Sequence, residues 1–170
     1  MQRSDVLAHL KAWKIDLDAE GVVLVGFRTK EIGVYNDRLV WIGKEEHEFY
    51  DFQANTDPSR YYERVATLVG DRVYTYKIGK HGYNRPEGPY DAFRQAAPVM
   101  VDRYRNGRAY QREPLPDTIN IHRGGVNTTS SAGCQTLPPE LWDSFRSTGY
   151  ALLKKYGRGK GFKYLLLNVR

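Results

Sequence analysis

"VVLVGFR", at Val22–Arg28, is an unbroken run of apolar and β-branched residues that stops at an arginine. A run of this length and composition is typical of a buried β-strand. A second run, "FKYLLLNV" at 162–169, is also short and apolar enough to form a central strand of a sheet. Together the two runs predict that the fold is organised around a buried β-sheet.

Five further segments have strand patterns, and turn-like sequences separate several of them. These segments are 38–43, 48–54, 72–77, 98–105 and 117–122. A short helix is expected after Ser4, which suits an N-cap, and a longer one after Pro138 and Pro139. The sequence therefore predicts one α+β domain over residues 1–170. It should be mostly β, with mixed or antiparallel sheets or a barrel-like sandwich, and one helix packed after the loop that holds Cys134.

The composition bounds the class of protein. With 170 residues, 41% hydrophobic and 13% aromatic, the chain is a folded protein that needs no disulfide or structural metal for its core. Its single cysteine leaves either a thiol kept in a reducing compartment or a reactive one. The start of the chain lacks a signal-peptide core, and no run reaches the ~18 apolar residues of a membrane span. We therefore expect synthesis in the cytoplasm without a signal peptide.

The chain is basic, with 26 lysine and arginine residues against 20 acidic ones and a net charge of +6. Such a charge suits nucleic acid, anionic lipid or an anionic wall polymer as partner. It is equally typical of a solvated surface. Because the sequence contains no nucleic-acid-binding motif, nucleic acid is not the expected partner.

The segment "IHRGGVNTTSSAGCQ", at 121–135, holds the cysteine, Cys134, and a histidine, His122, upstream of it. The residues between them are nearly all small, polar or turn-forming, so the loop can place the imidazole beside the thiol. A neighbouring imidazole removes the thiol proton and stabilises the thiolate nucleophile. The backbone N–H groups of Gly133 and Cys134 are candidate oxyanion donors. The alternative is a small buried cysteine with a histidine that only donates or accepts hydrogen bonds.

A second segment, "YTYKIGKHGYNRPEG" at 74–88, mixes tyrosine and basic residues around His81. We expect it to form the opposite wall of a groove, with His81 binding a substrate carboxylate and Tyr76 contributing to the wall. An ordinary polar loop is the alternative.

A zinc site could use His81, His122 and Cys134, with His47 or water as the fourth ligand. No two of these residues have the close spacing of known zinc motifs. Neither a metal nor another cofactor is therefore expected.

His122, Gly124 and the run Ser131-Ala132-Gly133-Cys134 resemble the signature of the L,D-transpeptidase (YkuD-type) catalytic domain. The family pattern is a histidine–glycine pair, then serine, one residue, glycine and the nucleophilic cysteine. Members are β-rich cysteine acyltransferases that attack a stem-peptide amide of bacterial peptidoglycan and form a thioester. They pass the acyl group to an amine or to water. The resemblance implies Cys134 as nucleophile, His122 as base, and Ser131 and Gly124 as residues that shape the loop.

The chain departs from this pattern at three points, one of which is that the loop between His122 and Cys134 is shorter than expected for the family. Arg123 separates His122 from Gly124, and Gln135 and Thr136 follow the cysteine where the family has an aliphatic residue and a substrate-positioning arginine. Arg123 could supply that positive charge from another direction. Arg123 and Gln135 are therefore substrate-binding candidates, together with His81 and Tyr76.

The resemblance predicts a monomeric peptidoglycan-acting cysteine enzyme that cleaves or exchanges stem-peptide amides, as a transpeptidase, carboxypeptidase or endopeptidase. Lytic use is favoured, as in a phage or prophage endolysin or an injected toxin. A chain made without a signal peptide would reach the cell wall after release or injection. The alternative function is a non-enzymatic module that binds an anionic polymer, either cell wall or nucleic acid, through basic and aromatic residues.

Overall fold

The computed structural model describes residues 1–84 and 86–169. Within these residues the helices are α1 (Arg3–Ala12), α2 (Leu17–Glu20) and α3 (Pro139–Lys155). The strands are β1 (Val22–Arg28), β2 (Asp37–Gly43), β3 (Phe49–Ala54), β4 (Ala66–Leu68), β5 (Arg72–His81), β6 (Tyr90–Gln95), β7 (Val99–Arg105), β8 (Arg108–Leu115), β9 (Ile121–Arg123), β10 (Gln135–Leu137) and β11 (Phe162–Asn168). None of the helices in this part of the chain is long and apolar enough to cross a membrane.

In the described part of the chain, eight strands form one sheet in the order β10, β9, β6, β5, β11, β1, β2, β3. A smaller sheet has the order β4, β7, β8. Strand β11 lies between β5 and β1, antiparallel to the first and parallel to the second, as expected of a central strand. The structure is 40% strand and 18% helix, which confirms the prediction of a mostly β, α+β fold.

Strand β1 is buried along its whole length because both faces of the large sheet are covered. On one face, Leu24 and Trp41 belong to a cluster that includes Phe145 of α3. On the other face, Val25 belongs to a cluster that includes Leu10 of α1. A strand covered on both faces carries an unbroken apolar run instead of an alternating pattern.

Helix α3 begins at Pro139, as the proline pair predicts, and packs on the sheet close to Trp41. Gly149 allows this approach. A Cβ atom at position 149 would lie 2.5 Å from the Trp41 ring atom Cζ2, which is closer than real Cβ contacts. Any larger residue at position 149 would push α3 away from the sheet.

The two edge strands of the large sheet meet at Asn55 and Thr136. Asn55 directly follows β3, and Thr136 is the middle residue of β10. Their backbones exchange two hydrogen bonds of 2.7 Å each. These bonds curve the sheet into a nearly closed, barrel-like form, and they give partners to edge groups that would otherwise be exposed.

A buried carboxylate fixes the chain beside this junction. Asp37 accepts hydrogen bonds from the N–H groups of Thr29 and Thr56 at 2.7 Å each, and from both threonine hydroxyls. The adjacent Arg28 donates to the carbonyl oxygens of Leu68 at 2.6 Å and Thr56 at 2.5 Å. Together these bonds hold the segment after β3 against the ends of β1 and β2.

The structure differs from the sequence predictions at short elements. Strands β4, β6, β8 and β10 and helix α2 were not predicted. The strand expected at 117–122 is shorter because the N–H groups of Thr118 and Ile119 donate to the Gln95 side chain instead of joining a ladder. Ser4 is not the N-cap of α1, since that position belongs to Gln2, whose N–H donates to the Asp5 carboxylate at 3.1 Å.

Replacement of the buried carboxylate tests its structural importance. We expect Asp37→Ala to lower the free energy of unfolding by about 3–5 kcal/mol, because the N–H groups and the hydroxyls of Thr29 and Thr56 all lose their acceptor. Denaturant unfolding followed by circular dichroism measures this change. The control is Asp143→Ala, whose side chain is 87% exposed and should change stability by less than ~1 kcal/mol. Equal effects of the two substitutions would contradict the assignment.

Candidate functional site

The glycine-rich segment connects two short parallel strands, β9 and β10. Their register pairs His122 with Thr136 and Gln135 with Ile121. Cys134 immediately precedes β10, and the hydrogen bond of 2.9 Å from Gln135 N–H to Asn120 O continues the pairing toward it. Cys134 therefore lies across from Asn120, two positions from His122. A rise of ~3.3 Å per residue and a strand spacing of ~4.8 Å put the Cα atoms of Cys134 and His122 about 8 Å apart.

Ser131 closes the turn that presents the cysteine. Its hydroxyl donates to Cys134 O at 2.6 Å and accepts from Gly133 N–H at 3.0 Å. Its backbone is anchored to Ser59 by two hydrogen bonds, in which Ser131 N–H donates to Ser59 Oγ and Ser59 N–H donates to Ser131 O. Ser131, for which the resemblance implies a loop-shaping role, thus makes the hydrogen bonds that hold the turn together.

Gly133 occupies a backbone conformation and a space that exclude a side chain. Its φ angle is +125°, and a Cβ atom would lie 1.9 Å from the carbonyl oxygen of Ala66. Its N–H group is already bonded to Ser131, whereas the Cys134 N–H donates no hydrogen bond to the described residues. Of the two expected oxyanion donors, only the Cys134 N–H is therefore available.

The thiol of Cys134 lies within hydrogen-bonding distance of Thr118 O at 3.3 Å and accepts from Asn120 N–H at 3.4 Å. The residue is partly exposed at a cavity of about 260 Å³ whose lining includes Arg64 and Arg103. Burial raises the pKa of the Cys134 thiol to about 11, against a smaller lowering effect of the Asn120 N–H. A raised pKa favours a neutral thiol at rest, against the expectation of a preformed thiolate.

His122 is oriented by its own neighbours in the chain. Its Nδ1 atom lies 2.8 Å from Arg123 O and 3.2 Å from the Tyr90 hydroxyl. A carbonyl oxygen can only accept, so Nδ1 carries a proton, and in the neutral ring the lone pair is on Nε2. His122 is only 3% exposed. The ring is thus held in the tautomer that a base at Nε2 requires.

His81 is brought directly onto His122 from the end of β5. The two imidazole rings are stacked, with centroids 3.9 Å apart and planes 9° from parallel. The amide nitrogen of Asn120 lies 3.0 Å from His81 Nδ1, and Asn120 also contacts the thiol through its backbone N–H. The structure therefore joins Cys134, Asn120, His81 and His122 into one cluster, to which Tyr90 is hydrogen-bonded.

The sequence did not identify Asn120 or Tyr90 as site residues. Tyr90 is paired with His81 across β5 and β6, and Asn120 precedes His122 by two positions, on the same face of β9. The alternation of β9 is a signal that could have identified Asn120. Nothing local to the sequence marks Tyr90, because its partner is determined by strand register.

Two predicted substrate-binding residues are part of the interior. Tyr76 is fully buried, and its hydroxyl donates to Ile119 O at 2.9 Å. Gln135 is also fully buried, and its side chain binds Thr56 O and the Tyr164 hydroxyl. Because neither side chain can reach a ligand in this structure, we remove both from the substrate-binding set.

Arg123 and Gly124 lie at the outer end of the cluster. The Arg123 guanidinium lies over the Tyr90 ring at 5.6 Å and lines a pocket of about 640 Å³ with Trp142 and Arg146. This position lets Arg123 contact a ligand. A Cβ atom on Gly124 would lie 2.1 Å from the Tyr35 hydroxyl, so glycine is required there.

The same geometry bears on the zinc alternative. Within residues 1–84 and 86–169, no group of three or more histidine, cysteine and acidic side chains is arranged to hold a metal ion. His47, the suggested fourth ligand, lies in the turn between β2 and β3, outside the cluster.

The thiol pKa gives a first test of the site. We expect the rate of Cys134 alkylation by iodoacetamide to be still rising at a pH of about 10, because the folded thiol ionises near pH 11. In denaturant the same thiol should follow a pKa of ~8.5. Since the folded group ionises later than the unfolded one, stability should fall as pH rises from ~8.5 towards 11. A rate that levels off near neutral pH would indicate a resting thiolate and contradict this description.

The turn gives a second test. Ser131→Ala removes the acceptor of the buried Gly133 N–H, so we expect a loss of about 1–3 kcal/mol in stability. We also expect faster alkylation of Cys134 at a fixed pH, because the turn loosens. Mass spectrometry of the alkylated protein measures this rate. Ser130→Ala, at an exposed position in the same loop, is the matched control and should leave both quantities nearly unchanged. If both variants behave alike, Ser131 does not organise the turn.

Comparisons with known proteins identify no relative of the chain. No family model, no curated protein and no solved structure matches the chain. The resemblance to the L,D-transpeptidase signature therefore depends on the residues of segment 121–135 alone.

Proposed function

We propose that the chain is a cysteine enzyme acting on the stem peptides of bacterial peptidoglycan through a thioester on Cys134. One observation carries the proposal. The parallel pairing of β9 with β10 puts Cys134 two positions from His122, whose Nε2 lone pair is set by the bond from Nδ1 to Arg123 O. Acyl transfer requires a base that reaches the nucleophile; here the thiol is bonded to Thr118 O and Asn120 N–H, so the proposed reaction requires the thiol and the His122 imidazole to approach each other when a substrate binds. The resemblance to the L,D-transpeptidase signature supports the choice of substrate.

The chemistry follows from the neutral state of the thiol. His122 Nε2 takes the thiol proton as the sulfur attacks the amide carbon, since a thiol with a pKa of about 11 supplies little thiolate at neutral pH. The S–C bond forms, and the imidazolium then gives its proton to the leaving amine as the C–N bond breaks. Attack on the thioester by water or by an amine frees the acyl group. In this scheme His122 acts first as the base and then as the acid.

The surroundings suit an anionic peptide. Arg64 and Arg103 line the cavity at Cys134, and Arg123 lines the pocket beside Tyr90. Stem peptides carry carboxylates that guanidinium groups bind well. Arg103 also pairs with Glu113 at 2.6 Å, so its charge is partly compensated. Arg64 and Arg123 are the stronger candidates for contact with a substrate carboxylate.

Muropeptide analysis tests the function. The protein is incubated with purified sacculi and with isolated tetrapeptide muropeptides, and the products are separated by mass. We expect shortened stems or cut cross-links from hydrolysis, or new cross-links and exchanged terminal residues from transpeptidation. Cys134→Ala should abolish every product, because alanine cannot form a thioester. No change in walls with diaminopimelate stems or with lysine stems would overturn the proposal.

A matched pair of histidine variants serves as the control. His122→Ala should lower the rate about 100-fold or more, which is the usual contribution of a general acid–base group. His47→Ala alters an exposed histidine outside the cluster and should retain the wild-type rate. Equal rates for the two variants would exclude His122 as the base.

A binding module is the second candidate, and the hairpin of β7 and β8 favours it. Strand β8 is largely exposed, and the Arg105 guanidinium lies 4.6 Å from the centre of the exposed Tyr110 ring. Exposed arginine and tyrosine side chains suit an anionic polymer. Alkylation of Cys134 separates the candidates, because it should stop catalysis and leave charge-driven binding unchanged.

A further inference from the structure

A second cavity lies on the far side of the small sheet from Cys134. It has a volume of about 490 Å³, within the ~300–1,000 Å³ that is usual for ligand sites. Thr67 lines this cavity, whereas its neighbour Ala66 lines the cavity at Cys134, and Asp102 and Arg103 of β7 are divided in the same way. Successive side chains of a strand point to opposite faces of a sheet. The small sheet therefore separates the two cavities, and no described residue lines both.

Two buried polar side chains in the lining of this second cavity lack hydrogen bonds. Asp57 is 3% exposed and Thr67 is 5% exposed. Neither Asp57 Oδ1 nor Thr67 Oγ1 has a hydrogen-bond partner among the described residues, and Oδ1 has only an ionic contact of 3.3 Å with Arg28 Nε. A buried polar group without a partner destabilises a fold, so two of them in one cavity point to a ligand that completes their hydrogen bonds.

The charges of the lining are balanced. Arg112 donates to the Asp102 carboxylate at 2.7 and 2.9 Å. Asn168 donates to the Asp71 carboxylate through its N–H at 3.0 Å and through its side-chain amide at 2.9 Å. Three basic and three acidic side chains line the cavity, namely Arg28, Lys30 and Arg112 with Asp57, Asp71 and Asp102. A charged ligand would meet as many like charges as opposite ones, so the lining suits a neutral ligand that both donates and accepts hydrogen bonds.

An aromatic pair forms one wall of the cavity. The rings of Tyr61 and Tyr104 are stacked, with centroids 4.0 Å apart and planes 11° from parallel. Ligand pockets commonly combine aromatic side chains with a few fixed polar groups. A saccharide matches both features, because its rings have apolar C–H faces and its hydroxyl groups both donate and accept hydrogen bonds.

We propose that this cavity is a binding site for a neutral saccharide. The Asp57 carboxylate accepts a hydrogen bond from one sugar hydroxyl, the Thr67 hydroxyl bonds to a second, and the pair of Tyr61 and Tyr104 packs against the C–H face of a ring. The site is independent of acyl transfer by Cys134 and of peptidoglycan as the substrate, since the small sheet separates it from the thiol. A wall glycan and an unrelated oligosaccharide present the same chemistry, so the probes must distinguish these sources.

The first experiment is a titration of the wild-type protein followed by ¹H–¹⁵N correlation spectra. The probes are tetra-N-acetylchitotetraose, which has the N-acetylated units of a wall glycan, and cellotetraose and maltotetraose, which contain glucose alone. We expect at least one probe to shift the backbone signals of Thr67, Gly70 and Asp102 and to leave that of Cys134 unchanged. A response to the N-acetylated probe alone would support the site with a wall glycan as the source, and a response to a glucose probe would support it with another source. No shift of these signals with any probe would overturn the proposal.

Inorganic phosphate and methylammonium test the charge of the ligand in the same spectra. Neither ion should shift the signals of the cavity, because its charges are balanced. Shifts caused by either ion, without a response to the sugars, would overturn the proposal of a neutral ligand.

Thr67→Val tests the hydroxyl that has no partner. Valine has nearly the same shape as threonine and suits a strand. We expect the responding sugar to bind about 2- to 10-fold more weakly, which is the usual contribution of one hydrogen bond. The midpoint of denaturant unfolding should stay equal or rise, because no hydrogen bond within the protein is lost. Thr75→Val, at an exposed position of β5 outside the cavity, is the matched control and should leave both quantities unchanged.

The outcomes of the variants decide between a ligand-binding and a structural hydroxyl. Sugar binding of unchanged strength in Thr67→Val, or a lower unfolding midpoint, would overturn the role of Thr67 and with it the assignment of the cavity. Cys134→Ala should bind the sugar as the wild type does. A protein that yields no muropeptide products can therefore still bind the sugar, so failure of the proposed reaction and failure of this site are distinguished.

Discussion

The buried carboxylate of Asp37 is the contact on which the closure of the sheet depends. It accepts hydrogen bonds from the backbone N–H groups of both Thr29 and Thr56. These bonds hold the chain after β3 against the start of β2. Asn55 is thereby presented to Thr136, and the two edges of the sheet join. Because Thr136 also pairs with His122 in the register of β9 and β10, the same junction determines where Cys134 lies. A structural polar network thus positions the candidate catalytic residues.

The candidate site is built from hydrogen bonds rather than from apolar packing. Ser131 bonds both to its own turn and to Ser59, and Asn120 bonds to the thiol and to His81. Hydrogen bonds specify orientation, which fixes the tautomer of each histidine. Burial at the same time keeps the thiol neutral. A neutral thiol fits the proposed reaction, in which a general base assists, better than a reaction that starts from a resting ion pair.

The part of the site that the sequence could predict lies within one continuous segment. His122, Ser131 and Cys134 are separated by a short loop, so their proximity follows from chain connectivity. Tyr76 was misassigned because it lies in a tyrosine-rich stretch beside His81, yet the alternation of β5 directs Tyr76 into the core with Tyr74. A period of two in that strand, applied strictly, would have excluded Tyr76. Gln135 gave no such signal, since its burial results from pairing of β10 with β9.

The sequence by itself determined the mostly β class, the central position of the run at 162–169, and helix α3 after the proline pair. Each of these depends on local composition or periodicity, and residues that are close together in the sequence are enough to define both. Only the tertiary structure decided that β10 exists, that the sheet closes at Asn55 and Thr136, and that His81 stacks on His122. These features depend on register between strands far apart in sequence. A strand of three residues has no pattern of its own, so its place is set by the partners that its backbone hydrogen bonds find.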